Sequence, residues 1–92
     1  METKAVTLCV TGRVQGVAFR AWTREQATRL GLGGSVRNEA DGSVAVLLVG
    51  PAAAVDQMIE LLREGPPAAS VAGVQTTEAD PQEVPGEFKI VR

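Results

Sequence analysis

The run Gly12-Arg13-Val14-Gln15-Gly16-Val17-Ala18-Phe19-Arg20 combines residue types that could hold an anion. It joins a strand-like stretch to a helix-like one. The start of a helix presents backbone N–H groups without intrahelical partners, and its dipole favours negative charge. A Ser, Thr, Asp or Asn side chain commonly caps those groups. Gln15, Gly16, Val17, Ala18 and Phe19 supply no such short cap, which leaves the amides of this turn to an outside ligand. Gly16 lets the backbone approach a ligand closely or adopt positive φ. Arg20 adds a planar fork able to grip two phosphate oxygens. The run is not a Walker loop, because G-x-x-x-x-G-K-[ST] does not occur. It is not a cysteine-phosphatase loop either, since Cys9 lies in the strand-like run well before Arg20. Taken alone, the same residues also suit a plain strand-to-helix turn with a surface arginine.

A second segment runs Gly34-Ser35-Val36-Arg37-Asn38-Glu39-Ala40-Asp41-Gly42-Ser43-Val44. Asp41-Gly42 is a hairpin signal, which puts Asn38 at a strand end. A carboxamide both donates and accepts, so Asn38 could orient a water molecule in a site shared with Arg20. Alone, this segment too suits an ordinary hairpin.

What the chain lacks narrows the chemistry. It has no histidine, which removes Ser-His-Asp and Cys-His arrangements, His-based zinc sites and the commonest general base. Its single cysteine can form no internal disulfide. Net charge is −2, without the basic excess expected of a nucleic-acid binder. The longest apolar run, Val44 to Val49, is too short to cross a bilayer, and the first residues lack the apolar core of a signal peptide. A cytoplasmic location and no membrane partner follow as defaults.

The elements that must position these residues can be read from periodicity. With 92 residues, 45% of them hydrophobic, residues 1–92 suit one compact domain. Ala5 to Thr11 alternates with Val6, Leu8 and Val10 on one face, as a strand does. Phe19, Thr23, Ala27 and Leu30 share one face of a predicted helix, with Arg24, Glu25 and Arg29 towards water and Gly31 as its stop. Ser35 to Asn38 and Ser43 to Val49 form the hairpin strands. Pro51 suits the first turn of a second helix, whose inner face is Val55, Met58, Ile59 and Leu62. Gly65-Pro66-Pro67 ends that helix. Ser70 to Thr77 is a fourth strand, Ala79 to Gly86 an acidic loop, and Phe88 to Val91 could add a short fifth strand. The order β-α-β-β-α-β predicts an α+β, ferredoxin-like sandwich with an antiparallel sheet and both helices on one face. That topology carries no function of its own.

Together the two segments resemble the signatures of the acylphosphatase family. Gly12 to Arg20 matches G-x-V-Q-G-V-x-F-R, and Gly34 to Val44 matches G-x-V-x-N-x-x-D-G-x-V. Thr23, the Leu30-Gly31-Leu32 step, the length and the element order also fit. The resemblance implies hydrolysis of a small acyl phosphate to carboxylate and inorganic phosphate. It implies that Arg20 binds the phosphate, that Asn38 positions the attacking water, and that the Gln15 to Phe19 amides complete the cradle. It implies no metal, no other cofactor and no covalent intermediate. A carboxylate leaves readily, so positioning and charge stabilisation can suffice, fixed donors contributing about 3–4 kcal/mol each. Two positions depart from the family pattern: Ser35, where tryptophan is common, and Ala45, where an acidic residue is frequent. Trp22 replaces another aromatic.

Similar domains occur inside larger carbamoyl-transfer proteins, whereas this chain reads as complete, free-standing and monomeric. Two other readings share the same features. A phosphometabolite-binding module would use the cradle without turnover. An RNA-binding module would need exposed aromatics on its central strands, and Ser43 to Val49 contains none. Bland roles suit the remaining polar residues: Cys9 as a strand residue, Trp22 in packing, Arg13 and Arg37 in solvent, Asp41 in the turn, Asp80 and Glu83 in loop solubility.

Overall fold

The computed structural model describes residues 2–84 and 86–91. Five strands form one sheet: β1 (Thr3–Arg13), β2 (Gly33–Asn38), β3 (Val44–Pro51), β4 (Ser70–Glu78) and β5 (Phe88–Val91). Helix α1 (Phe19–Arg29) follows β1, and α2 (Ala52–Glu64) follows β3. The spatial order is β4-β1-β3-β2-β5. The first four strands pair antiparallel, as expected for the ferredoxin-like sandwich. The fifth does not: β5 runs parallel to β2, with Gly34 opposite Phe88 and Arg37 opposite Val91. The sheet is therefore mixed through its short fifth strand, whose direction the sequence left open. The reason is geometric, because β5 enters at the free edge of β2 after the chain has crossed the sheet from β4.

Alternation places the core. Val6, Leu8 and Val10 of β1, Val36 of β2 and Val44, Val46 and Leu48 of β3 are all buried on the helix-covered face. Phe19, Thr23 and Ala27 of α1 meet them, together with Val55, Met58, Ile59 and Leu62 of α2. Each fully buried aliphatic side chain contributes about 1.5–3 kcal/mol. With so few aromatics, Phe19 is the largest fully buried side chain. It anchors the first residue of α1, and its ring lies 5.7 Å from that of Trp22 at 49°. Trp22 is thus a packing residue.

The ends of the elements follow local chemistry. Gly31 closes α1: its N–H donates to Thr28 and the next N–H, of Leu32, to Ala27, a Schellman arrangement that satisfies otherwise free carbonyls. Pro51 sits one residue earlier than expected, as the last residue of β3 and the N-cap of α2, at φ −55 and ψ 135. Its ring fixes φ, but its ψ is extended, so the helix begins at Ala52. The acidic loop contains a short 3-10 turn, Pro81–Glu83, capped by Asp80 Oδ1 accepting from Gln82 N. Asp80 therefore caps a turn in addition to facing water. No helix among the described residues is long and apolar enough to cross a membrane.

Candidate active site

The chain leaves β1 at Arg13, dips inward at buried Val14, and reaches α1 through an irregular turn over Gln15 to Ala18. Two residues in that turn have positive φ: Gly16 at 73° and Ala18 at 59°. A Cβ on Gly16 would meet nothing within 4 Å, so glycine serves the backbone angle here, not the space. Ala18 is the N-cap of α1, in the left-handed region, with no side chain capping the helix and no acidic residue in its first turn. The first bond of the helix runs from Trp22 N to Ala18 O at 3.0 Å. Among the described residues, the amides of Gln15 to Phe19 donate to no backbone carbonyl. Alternation of left-handed residues with their neighbours turns successive N–H groups towards a common point, a form suited to anions.

The two signature segments converge. A hollow of about 220 Å³ is lined by Val14, Gly16, Ala18, Phe19, Arg20, Ala21, Asn38 and Ile90. Arg20 and Asn38 thus share one site, at the end of the sheet where α1 begins and β2 finishes. Arg20 is half-buried and has no salt-bridge partner among the described residues. Its guanidinium remains available to a ligand. Asn38 is half-buried, and its Oδ1 is closed off from solvent without a hydrogen-bond partner. A buried carboxamide oxygen left unpaired costs about 1–3 kcal/mol, so such groups tend to have a use. Thr23 Oγ1 is likewise buried and unpartnered, one turn along α1 from Arg20.

The other charged residues near the site are occupied or exposed. Arg37 pairs with Glu39, its Nη2 2.7 Å from Oε1. Arg13 and Arg24 are exposed. Asp41 stays in its turn: Oδ1 accepts from the Ser43 hydroxyl at 2.6 Å and from the Ser43 amide at 2.9 Å. These bonds, the hydroxyl first, hold its carboxyl below the usual 3.8. Cys9 is a half-buried free thiol on β1. It does not line the hollow.

Of the expected cradle residues, Gly16, Ala18 and Phe19 line the hollow, while the Gln15 and Val17 side chains do not. Gln15 instead sends Nε2 across to the carbonyls of Glu39 and Ser43, both at 2.8 Å. Nothing in local sequence reveals that contact, because its partners lie more than twenty positions away. The apolar walls, Val14, Ala21 and Ile90, are residue types that mark no site in local sequence. Burial by period could have found Val14, whereas Ile90 depends on the parallel pairing of β5.

Fold and hollow together define a ferredoxin-like domain with an uncapped βα turn, one unpaired arginine and one carboxamide at a single end of its sheet. The family model described as Acylphosphatase matches residues 6–90. A curated acylphosphatase of Rhizobium meliloti is 54% identical over 91 residues, covering 99% of this chain and 96% of the relative. The crystal structure of acylphosphatase from Bacillus subtilis superposes with a TM-score of 0.92 at 34% identity, covering 99% of this chain and 100% of that one. The structure of an acylphosphatase from Coxiella burnetii gives 0.91 at 34% identity, covering 97% and 93%. The chain belongs to the acylphosphatase family and is a hydrolase acting on small acyl phosphates.

Proposed function

We propose that the hollow binds the phosphoryl group of an acyl phosphate between the Arg20 guanidinium and the amides of Gln15 to Phe19. The observation that supports this reading is the convergence of Arg20 and Asn38 on one hollow beside an uncapped helix start. Arg20 grips two phosphoryl oxygens, and the amides and dipole stabilise the charge that builds on the group during transfer. With Oδ1 of Asn38 enclosed, Nδ2 is the end of its carboxamide left to hold the attacking water. Water forms the new P–O bond as the bond to the acyl oxygen breaks. The acyl group leaves as a carboxylate, and the proton shed by the water ends on the phosphate. A leaving group this stable needs no general acid, which suits a chain without histidine.

The same proposal has the reaction proceed without a metal or other cofactor, in a single domain acting as a monomer in the cytoplasm. Benzoyl phosphate hydrolysis by purified protein in excess chelator tests the reading. Sustained turnover is the expected result. Binding of inorganic phosphate with no turnover would replace the enzyme reading with that of a phosphometabolite-binding module.

A further inference from the structure

The Gln15 side chain makes a connection that a backbone cradle does not require. Its Nε2 donates both protons, one to Glu39 O and one to Ser43 O, each at 2.8 Å in a half-buried setting. Those carbonyls belong to the two ends of the turn that closes the β2–β3 hairpin, where Glu39 N also donates to Ser43 O at 2.9 Å. Glu39 follows Asn38 directly. One neutral carboxamide in the cradle loop therefore holds the chain beside Asn38.

The sheet alone does not make this link. The cradle leaves from β1, Asn38 ends β2, and β3 lies between them. Strands spaced about 4.8 Å apart put the two carriers roughly 10 Å from each other. Only Gln15 bridges from the cradle side chains to the turn among the described hydrogen bonds. Nor does the turn need Gln15 in order to close. Gly42 N donates to Glu39 O, and Asp41 Oδ1 accepts from Ser43 N and Oγ. What Gln15 adds is the location of that turn relative to the cradle.

We infer that Gln15 is a positioning residue for hydrolysis: its side chain sets the distance between the phosphoryl held by the cradle and the water held by Asn38. The inference rests on the proposed role of Asn38. An amide is the group suited to the task. It offers two donors from one nitrogen and carries no charge to compete with Arg20 for the substrate.

Gln15→Met removes both donors at similar length, and Gln15→Glu sets a carboxylate against two carbonyl oxygens. Making both keeps the test available if one fails to fold. Each is measured for kcat on benzoyl phosphate and for competitive inhibition by inorganic phosphate, with Asn38 intact and in an Asn38→Ala background. With Asn38 intact, kcat is expected to fall about 10–100-fold, the scale of a misplaced reacting group. In Gln15→Met, phosphate inhibition is expected to stay within about twofold, because the backbone amide of residue 15 is kept and no charge is added. In Gln15→Glu the added carboxylate also weakens phosphate inhibition, so that variant is read by kcat alone. In the Asn38→Ala background the same substitution is expected to have little further effect, since residues acting as a unit are non-additive. Unchanged kcat in a folded Gln15 variant overturns the inference. So does an equal fold-loss in both backgrounds, or a parallel loss of phosphate inhibition in Gln15→Met. Full activity of Asn38→Ala alone overturns the underlying role of Asn38, and that result is separate from the others.

Discussion

Replacing Ala18 with glycine is expected to stabilise the protein, the reverse of the usual effect of Ala→Gly. Ala18 has φ 59 and ψ 25 immediately before α1. Among the described residues it is the one non-glycine at positive φ. A Cβ in the left-handed region costs about 1–2 kcal/mol. Glycine removes that cost but loosens the unfolded chain by about 0.4–1 kcal/mol. The balance is a gain of about 0–1.6 kcal/mol, centred near ~0.8 kcal/mol, which at the centre is a rise in Tm of about 3–6 °C for a chain of this size. Ala18→Val, with a β-branched side chain at the same angle, is expected to lower Tm instead. Catalysis is expected to move against stability. The left-handed turn at residue 18 aims the neighbouring amides, and glycine leaves that aim less fixed, lowering kcat by about 2–10-fold. Melting followed by circular dichroism, beside turnover of benzoyl phosphate, reads both effects. A lower Tm for Ala18→Gly than for the native chain would refute the strain argument, because only an unstrained alanine gives that sign.

Two further perturbations probe the frame of the site. Gly34, on the strand that carries Asn38, has φ 130, and a Cβ there would lie 1.8 Å from the Leu47 carbonyl oxygen; Gly34→Ala is expected to cost about 2–6 kcal/mol from backbone strain and overpacking, read from the urea midpoint. Asp41→Asn changes the acid limb of stability: the Ser43 hydroxyl and amide lower the native carboxyl below 3.8, so its contribution is present above the unfolded pKa and is lost as pH falls through the folded one. The variant is expected to show a flatter stability profile than the native chain between about pH 5 and pH 2, followed by urea midpoints across that range.

Much of the fold was legible because its signals are local. Val6, Leu8 and Val10 alternate, and Val55, Met58, Ile59 and Leu62 recur at helical spacing, so both faces were set by period alone. Gly31 announced the end of α1. The pairing of β5 was not legible, since four residues carry no information about their neighbour or direction. Pro51 signals a helix start, but its ring fixes φ and leaves ψ free, which accounts for its place one residue ahead of α2. At the site, Arg20 and Asn38 were visible as residue types, and their convergence follows from the crossover through α1 and the β2–β3 hairpin. The left-handed angle at Ala18 was hidden, because alanine rarely adopts it. The Gln15 side-chain bridge was hidden for another reason: it depends on where the hairpin turn lies in space, not on its sequence.

The most direct test of the account compares Arg20→Ala and Asn38→Ala with the native chain, by benzoyl phosphate turnover in chelator and by inhibition with inorganic phosphate. Arg20→Ala is expected to lose both turnover and inhibition. Asn38→Ala is expected to lose about 10²–10³ in turnover while phosphate still inhibits. Native turnover in either folded variant would contradict a shared site of Arg20 and Asn38.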